Sequence, residues 1–226
     1  MKNKLALAAA LFATSFSVSA DGLSYSSLEL GYNKLKIDTS GSEGNLSIGD
    51  HDGSGPYFKG SIALGKTMYV FGGVNGGDGD IPVRVTEWTW TGSRELRGSM
   101  EANVSQYYLG FGFHADVSEK THVVTEFSAI QTNAKFGQVR IEDMRRRSGV
   151  EVSATDVRVA VGFRRQFAKH FEGSGKVSYT GGEGYENEFA AILGAQVNFN
   201  QTWGIVGEAE LGGTIPQYRV GLRASF

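Results

Sequence analysis

Apolar and polar residues alternate with a period of two along most of the chain, in segments of roughly ten residues. In the first segment, Glu29 separates Leu28 from Leu30, and Gly31 separates Leu30 from the next apolar position. This alternation predicts strands with one apolar face and one polar face. The apolar faces of the ten segments start at Leu28, Phe58, Tyr69, Tyr107, Val123, Val157, Phe171, Phe189, Trp203 and Tyr218.

The contrast between the two faces predicts an all-β fold, a transmembrane up-and-down antiparallel β-barrel with lipid outside and a polar lumen inside. The apolar positions, Tyr69 and Phe71 among them, are expected to face the lipid. We expect ten strands, with eight as the alternative if one weak hairpin is misread. A soluble β-sandwich is the other reading, but it would have shorter strands and a polar face turned to water.

The connections between the segments alternate between short and long, which is typical of outer-membrane barrels with short turns in the periplasm. This parity requires an even number of strands and places both termini on the periplasmic side. The short connections are 65–66, 118–120, 168–170 and 200–201, and the long ones are 38–55, 75–103, 132–152, 180–187 and 212–216.

The first twenty residues have the order of a secretory signal peptide. Lys2 and Lys4 precede a short apolar run at 5–13, and small residues end the segment at Ala20. The apolar run is too short to span a membrane. We therefore expect Sec export with cleavage after Ala20, and a mature barrel over 21–226 in the outer membrane of a Gram-negative bacterium. A buried N-terminal helix is the alternative.

Composition narrows the function classes. The chain has no Cys, so it carries no disulfide framework, thiol nucleophile or thiolate metal site. Its 22 basic and 24 acidic residues are nearly balanced, which argues against a nucleic-acid partner. With 32 Gly and only 3 Pro, the composition fits closely packed, bent strands.

The C-terminal strand carries an assembly pattern. Arg219, Gly221 and hydrophobic positions two apart lead to a terminal Phe226, as in outer-membrane barrels whose last strand the barrel-assembly machinery reads. Ala224 departs from this pattern, since a larger apolar residue is more usual there.

The chain resembles a family of small outer-membrane barrels known for a sulfation-dependent, diffusible quorum factor of plant-associated bacteria, and more generally it is similar to OmpA/OmpX-type barrels. The resemblance covers most strands and turns but fades in 75–103 and 132–152, which are longer than expected for the family. It implies a fold and a location, and no residue carries a signalling role. The matching stretches are 21–25, 60–65, 71–73, 109–112, 193–197 and 200–204.

Charged residues occupy the predicted inward face of the barrel. A narrow lumen gives such charges little water, so an ion-pair network that fills it is one interpretation. A gated narrow pore is the other, and its ion selectivity is open because neither sign dominates. The residues are Glu29, Lys59, Glu126, Arg158, Arg164, Glu172, Lys176, Glu208, Glu210, Arg219 and Arg223.

An enzyme would place its catalytic groups at the outer rim. His114, His122 and His170 fall at predicted periplasmic turns, whereas His51 lies in the first outer loop between two Asp residues. Acids with one His could activate water, but solvated loop residues explain the same pattern. The spacing of these acids also lacks the pattern of an EF-hand loop. We therefore assign no catalytic, cofactor-binding or metal-ligating residue, and we expect no cofactor.

Two outer loops stand out. Residues 81–90, with Trp88 and Trp90, alternate and are expected to extend the barrel wall as a hairpin, or else to expose Trp to a partner. In the third loop, Arg145, Arg146 and Arg147 lie at the expected height of lipopolysaccharide phosphates, where charge-assisted hydrogen bonds are strong. The alternative is a solvent-exposed basic run whose positive charge is balanced by the acidic residues 142–143.

These features predict a non-enzymatic outer-membrane barrel that acts through its surface loops, in a structural or interaction role. A small porin-like channel is the alternative, and an outer-membrane enzyme is a distant one. The expected partners are outer-membrane lipid, lipopolysaccharide and the barrel-assembly machinery, with the protein as a monomer. The solute, surface partner, oligomeric state and any signalling role stay open.

Overall fold

The computed structural model describes residues 23–37, 41–43, 46–48, 51–90, 92–141, 144–146, 150–184, 187–213 and 215–226. The predicted signal peptide lies outside these ranges, so its cleavage site stays a prediction. The described residues include no helix that is long and apolar enough to cross a membrane.

Strands make up almost all of the described chain. Their lengths range from 3 residues in the shortest pieces to 27 residues in the longest strand. In chain order they are β1 (Ser27–Ile37), β2 (Gly41–Glu43), β3 (Leu46–Ile48), β4 (His51–Leu64), β5 (Met68–Thr89), β6 (Gly92–Ser118), β7 (Thr121–Ile141), β8 (Met144–Arg146), β9 (Val150–Ala168), β10 (Phe171–Gly182), β11 (Glu188–Asn198), β12 (Trp203–Gly212) and β13 (Gln217–Ser225).

Ten of these strands close into an antiparallel barrel. Strand β1 pairs on one side with β4 and on the other with the last strand, β13, so the sheet returns to its start. The ring runs β1, β4, β5, β6, β7, β9, β10, β11, β12 and β13. The short strands lie outside this order: β2 pairs with β3, β3 with β5, and β8 with β7. The predicted all-β barrel of ten strands is confirmed, and the eight-stranded alternative is wrong.

The two ends of the barrel differ. At one end, called the short-turn end here, tight connections join β4 to β5, β6 to β7, β9 to β10 and β11 to β12. Gly65 opens the first of these turns with φ 79°, a conformation that side chains other than Gly rarely adopt. Both described chain termini lie at this end, because the amide of Phe226 donates to the carbonyl of Ser26 at 2.9 Å. The opposite end is called the long-loop end.

The outer face of the ring carries an apolar band. Leu30, Leu109 and Phe189 are more than 60% exposed, which suits side chains in contact with lipid tails. Along β5 the outward residues change from Val74 to Asp78, which marks where the strand leaves the band. An apolar outer band that gives way to polar residues along the same strand identifies a transmembrane barrel.

Strand β5 corrects one sequence expectation, because Tyr69 and Phe71 face the lumen and not the lipid. They are only 5% and 8% exposed, and Phe71 lies opposite Ser61 of β4 in the strand register. Residues directly opposite in a sheet share a face, so β4 sets the orientation of β5. The alternation could not decide which face of β5 points to the lumen, since Val70, between Tyr69 and Phe71, is also apolar.

Glycines make room for the aromatic rings inside the lumen. A Cβ atom on Gly112 would collide with the ring of Tyr69, its neighbour across the β5–β6 pair. A Cβ on Gly31 would lie 2.7 Å from Cε1 of Tyr57. The two rings lie against backbone that only Gly leaves open, which explains part of the high Gly content.

Strands also occupy most of two predicted loops. Segment 75–103 forms a continuous hairpin whose ladder runs to the pair Thr89 and Gly92, and 132–152 continues β7 and β9. Strands β5 and β6 contain 22 and 27 residues, whereas roughly 9–11 residues suffice to cross a bilayer. The loop assignment was wrong here because the alternation continues past the membrane band. The wall-extending hairpin expected at 81–90 agrees with the strand bounds.

Candidate functional site

The lumen holds the charged residues singled out in the sequence. All eleven side chains lie on the inner face of the ring, and each belongs to at least one ion pair. Alternation puts them there, since each is flanked in sequence by residues of the outer face. They form one chain of linked charges and three separate pairs.

Five charges form a connected chain across four strands. Lys59 and Arg219 both approach Glu208, at 3.6 Å and 2.9 Å. Arg219 also reaches Glu210 at 3.5 Å, and Glu210 binds Arg158 at 2.7 Å. The arrangement links β4, β12, β13 and β9 through side chains alone.

Three further pairs lie nearer the short-turn end. Glu126 accepts a second hydrogen bond, at 2.8 Å, from the hydroxyl of Tyr69, and Glu172 accepts one at 3.1 Å from Asn198. These extra donors matter because a buried carboxylate is costly unless its remaining lone pairs are also satisfied. The pairs are Arg164–Glu172 at 2.7 Å, Lys176–Glu126 at 2.7 Å and Arg223–Glu29 at 3.4 Å.

Little space remains around this network. One cavity of about 100 Å³ lies toward the short-turn end and a second of about 70 Å³ lies beyond it. Both are lined by the same ion-paired groups, Lys59, Glu126, Lys176 and Glu208, together with Phe71. The two spaces are large enough for a few waters each, and paired charges stand between them.

A layer of buried amide side chains crosses the lumen on the long-loop side of the charges. The amide group of Asn75 donates to Gln106 at 2.9 Å and to Gln217 at 3.3 Å, and Gln217 donates to Gln106 at 2.9 Å. Gln106 in turn donates to Thr132 at 3.3 Å. All three amide residues are at most 4% exposed, so this layer joins β5, β6, β7 and β13 in a buried cross-section.

Toward the long-loop end the inner face becomes apolar. Leu35 and Ile81 are at most 1% exposed, and Val83 and Val104 are at most 5% exposed. Leu35 lies against Gly77, where a Cβ would come within 2.9 Å of its methyl group. These residues form an apolar cap in the lumen on the side of the tall hairpin.

Residues just before β1 pack inside the short-turn end. Leu23 and Tyr25 are each 8% exposed and pack with Tyr69, Phe71 and Val124. The guanidinium groups of Arg164 and Arg223 both donate to the carbonyl oxygen of Ser24, from inside the lumen. Sequence reasoning missed this N-terminal plug (residues 23–26), because it follows a predicted cleavage site. Leu23 and Tyr25 alternate with Ser24 and Ser26, but they continue the inward face of β1, on which the alternation predicts polar residues.

A second cluster missed by sequence reasoning lies beside the plug. His114, Asp116 and His122 bring two imidazoles and a carboxylate together, with one ligand atom from each within 4.8 Å of the others. The ring of Tyr25 stacks on His114, with centroids 3.9 Å apart, and its hydroxyl lies 3.1 Å from Nδ1 of His122. Burial raises the pKa of Tyr25, which precedes the first strand, to about 12. Its hydroxyl therefore stays protonated.

The residues of the assembly pattern take separate positions. Arg219 belongs to the charge network, and Gly221 lies under the hydroxyl of Tyr57. Ala224 is 6% exposed, so its small side chain is covered. Phe226 accepts a hydrogen bond on its carbonyl oxygen from the Ser24 hydroxyl at 2.6 Å.

The other candidate residues lie toward the long-loop end. Arg145 and Arg146 belong to β8, which pairs with β7, but their side chains and all of Arg147 lie outside the described structure. His51 begins β4 opposite Ile37, and Asp78 accepts a hydrogen bond from Asn103. The structure does not bring the histidine and the acids of this end into one described group.

The chain matches no protein-family model and no curated protein sequence. Among solved structures it is similar to the translocator domain of the autotransporter NalP from Neisseria meningitidis, at 11% identity and a TM-score of 0.54, covering 99% of this chain and 96% of that one. It is also similar to OprG from Pseudomonas aeruginosa, at 11% identity and a TM-score of 0.45 over 91% and 98% of the two chains. Ail of Yersinia pestis matches at 13% identity and a TM-score of 0.42 over 89% and 97%. The likeness to NalP shows a shared barrel fold.

Proposed function

We propose that this protein is a non-enzymatic barrel of the Gram-negative outer membrane, delivered by Sec export with cleavage after Ala20. The apolar outer band and the closed strand ring support a membrane location. The short-turn end, with both termini, faces the periplasm in this proposal, and the tall hairpin faces outside. The terminal strand ending at Phe226 is the segment that the barrel-assembly machinery would read.

Within the membrane we propose a sealed barrel that serves as a support for its surface hairpins. The observation that carries this proposal is the filled lumen, where charges, amides and apolar side chains follow one another in layers. The wall is also lopsided, since β5 and β6 continue well past β1, β12 and β13. Material above the membrane is therefore concentrated on one side, where a partner or neighbouring surface can contact it.

Planar-bilayer recordings of refolded protein test this assignment. The sealed barrel should show no stable open level. A variant that removes two members of the amide layer, Gln106→Ala with Gln217→Ala, serves as a control for an unsealed lumen. Stable ohmic conductance of the unmodified protein would overturn the proposal and support a channel.

A small channel is the second candidate, and the two residual cavities favour it. Solute passage would require the pairs around Lys59 and Glu208 to part. With five acidic and six basic residues in the lumen, selectivity would depend on which of them line the open state. An enzyme remains a distant third candidate, and no catalytic role is assigned to any residue.

Arg145, Arg146 and Arg147 are proposed to contact lipopolysaccharide phosphates on the outer side, where guanidinium groups form strong bidentate bonds. A basic run exposed to solvent is the competing interpretation. Binding of lipopolysaccharide to the refolded barrel, compared with a variant in which these residues are changed to Gln, distinguishes the two.

We propose a monomer, because every barrel strand already has two neighbours. The resemblance to the quorum-factor family extends to no signalling residue, and we propose no signalling role.

A further inference from the structure

The hairpin of β6 and β7 brings three potential metal ligands to one rim of the barrel. His114 and Asp116 lie two residues apart on β6, so they share a face, and Asp116 pairs directly with His122 across the tight turn. Local hairpin geometry therefore sets the cluster. It lies at the short-turn end, distant from the tall hairpin on which the proposed surface role depends.

The ligand atoms are close enough together to converge on one metal ion. Oδ1 of Asp116 lies 3.2 Å from Nε2 of His122 and 3.9 Å from Nδ1 of His114. Metal–ligand bonds of about 2.0–2.2 Å in tetrahedral geometry place ligand atoms roughly 3.3 Å apart. All three ligand atoms lie within 4.8 Å of one another, so metal binding would draw them together by up to about 1.5 Å. Asp116 is 72% exposed, so its carboxylate has room to move.

His114 supplies an independent sign that a ligand is missing. Its side chain is only 10% exposed, and Nδ1 is buried with no hydrogen-bond partner among the described residues. That nitrogen points toward the carboxylate of Asp116, too far away for a hydrogen bond. A buried nitrogen of this kind normally has a partner, and a metal ion between the two groups would provide one.

We propose that His114, Asp116 and His122 bind a divalent transition-metal ion of the zinc class at the short-turn end of the barrel. Two imidazoles and one carboxylate are a donor set that suits zinc and leaves a coordination position for water. Tyr25 is a positioning residue in this site. When Nε2 of His122 binds the metal, its Nδ1–H donates to the Tyr25 hydroxyl oxygen, the type of outer partner that metal-bound histidines usually have.

The test uses the mature chain without a polyhistidine tag, refolded in detergent micelles and freed of metal. Zinc binding is followed by isothermal titration calorimetry, and Co²⁺ absorption reports the coordination geometry. We expect one zinc per chain and a tetrahedral Co²⁺ spectrum. Asp116→Asn should weaken binding strongly, and His114→Ala with His122→Ala should abolish saturable binding. Tyr25→Phe should weaken it about 10- to 100-fold.

The matched control is His170→Ala, which removes an exposed histidine from a different turn of the same end and should leave binding unchanged. Heat-modifiable migration on gels checks folding of each variant. If the double histidine variant does not fold, Asp116→Asn still decides, because its side chain is mostly exposed. Absence of saturable zinc binding by the unmodified barrel would overturn the proposal. Binding that is indifferent to Asp116→Asn and to the histidine pair would overturn it as well.

Discussion

Removing Arg158 tests whether the lumen is packed or open. The guanidinium of Arg158 binds Glu210 at 2.7 Å and donates to the Thr180 hydroxyl at 2.9 Å. The two charged side chains are 17% and 4% exposed, so the pair is largely shielded from water. Arg158→Ala leaves the Glu210 carboxylate in this environment without its nearest cation.

The structure sets the expected size of the effect. Removing one partner of a buried ion pair typically costs about 3–5 kcal/mol, since the other charge stays buried. Arg219 lies 3.5 Å from Glu210 and compensates for part of this loss. We therefore expect a decrease near the lower end, about 3 kcal/mol, in the free energy of unfolding. Val159→Ala, on the neighbouring lipid-facing position, should cost only roughly 1 kcal/mol of packing and transfer energy.

Urea unfolding of the barrel refolded into lipid vesicles measures both changes, and a double variant with Glu210→Gln completes a thermodynamic cycle. If the pair is packed, Glu210→Gln should recover part of the stability lost in Arg158→Ala, because the stranded charge is then gone. In an open pore the charges are already hydrated, and Arg158→Ala should shift ion selectivity with little effect on stability. The packed-network interpretation is wrong if Arg158→Ala and Glu126→Ala are both neutral in unfolding.

Three further predictions concern assembly, topology and packing. Deleting Phe226 should lower the amount of folded, heat-modifiable barrel in the outer membrane while export continues; an unchanged folded fraction would contradict the assembly role. With no native Cys, Ser93→Cys should be labelled on intact cells by a membrane-impermeant maleimide and Glu119→Cys should not, and the reverse pattern would invert the orientation. Gly112→Ala should displace the Tyr69 ring and cost about 1–3 kcal/mol in urea unfolding, whereas equal stability would show that the ring has room to move.

The strand number and most facings could be predicted from the sequence because a bilayer imposes one simple contrast. Leu28, Leu30 and Tyr32 are exposed while Glu29 is buried, as the alternation predicts. The parity of short and long connections then requires an even number of strands. Both inferences depend only on residues that are close together in the sequence.

Features that depend on pairing between distant segments could not be predicted. The alternation placed Tyr69 on the wrong face because both faces of β5 are apolar there, and only its register with β4 decides. The alternation at 81–90 predicts part of the tall hairpin, but residues 75–80 and 92–103 of the same ladder are polar or Gly-rich and carry no such pattern. The contact of Tyr25 with His114 joins residues almost ninety positions apart in the closed barrel, which no local pattern indicates. The cluster of His114, Asp116 and His122 is local, and it was missed because residues at the short-turn end were interpreted as ordinary turn residues.

The lumen charges also help to specify which face of each strand meets lipid. A strand shifted by one residue turns all its side chains to the opposite face. For β9 such a slip would place Arg158 and Arg164 in the hydrocarbon, at about 2–4 kcal/mol for each basic side chain near the midplane. Strand β5 has no charge at membrane level, and there Gly112 and Gly73 provide the space that admits aromatic rings only on the inner side. Ion pairs and glycines thus both determine, on different strands, which face points to the lumen. Replacing the lumen charges with neutral residues should therefore allow strands to pair out of register, in addition to lowering stability.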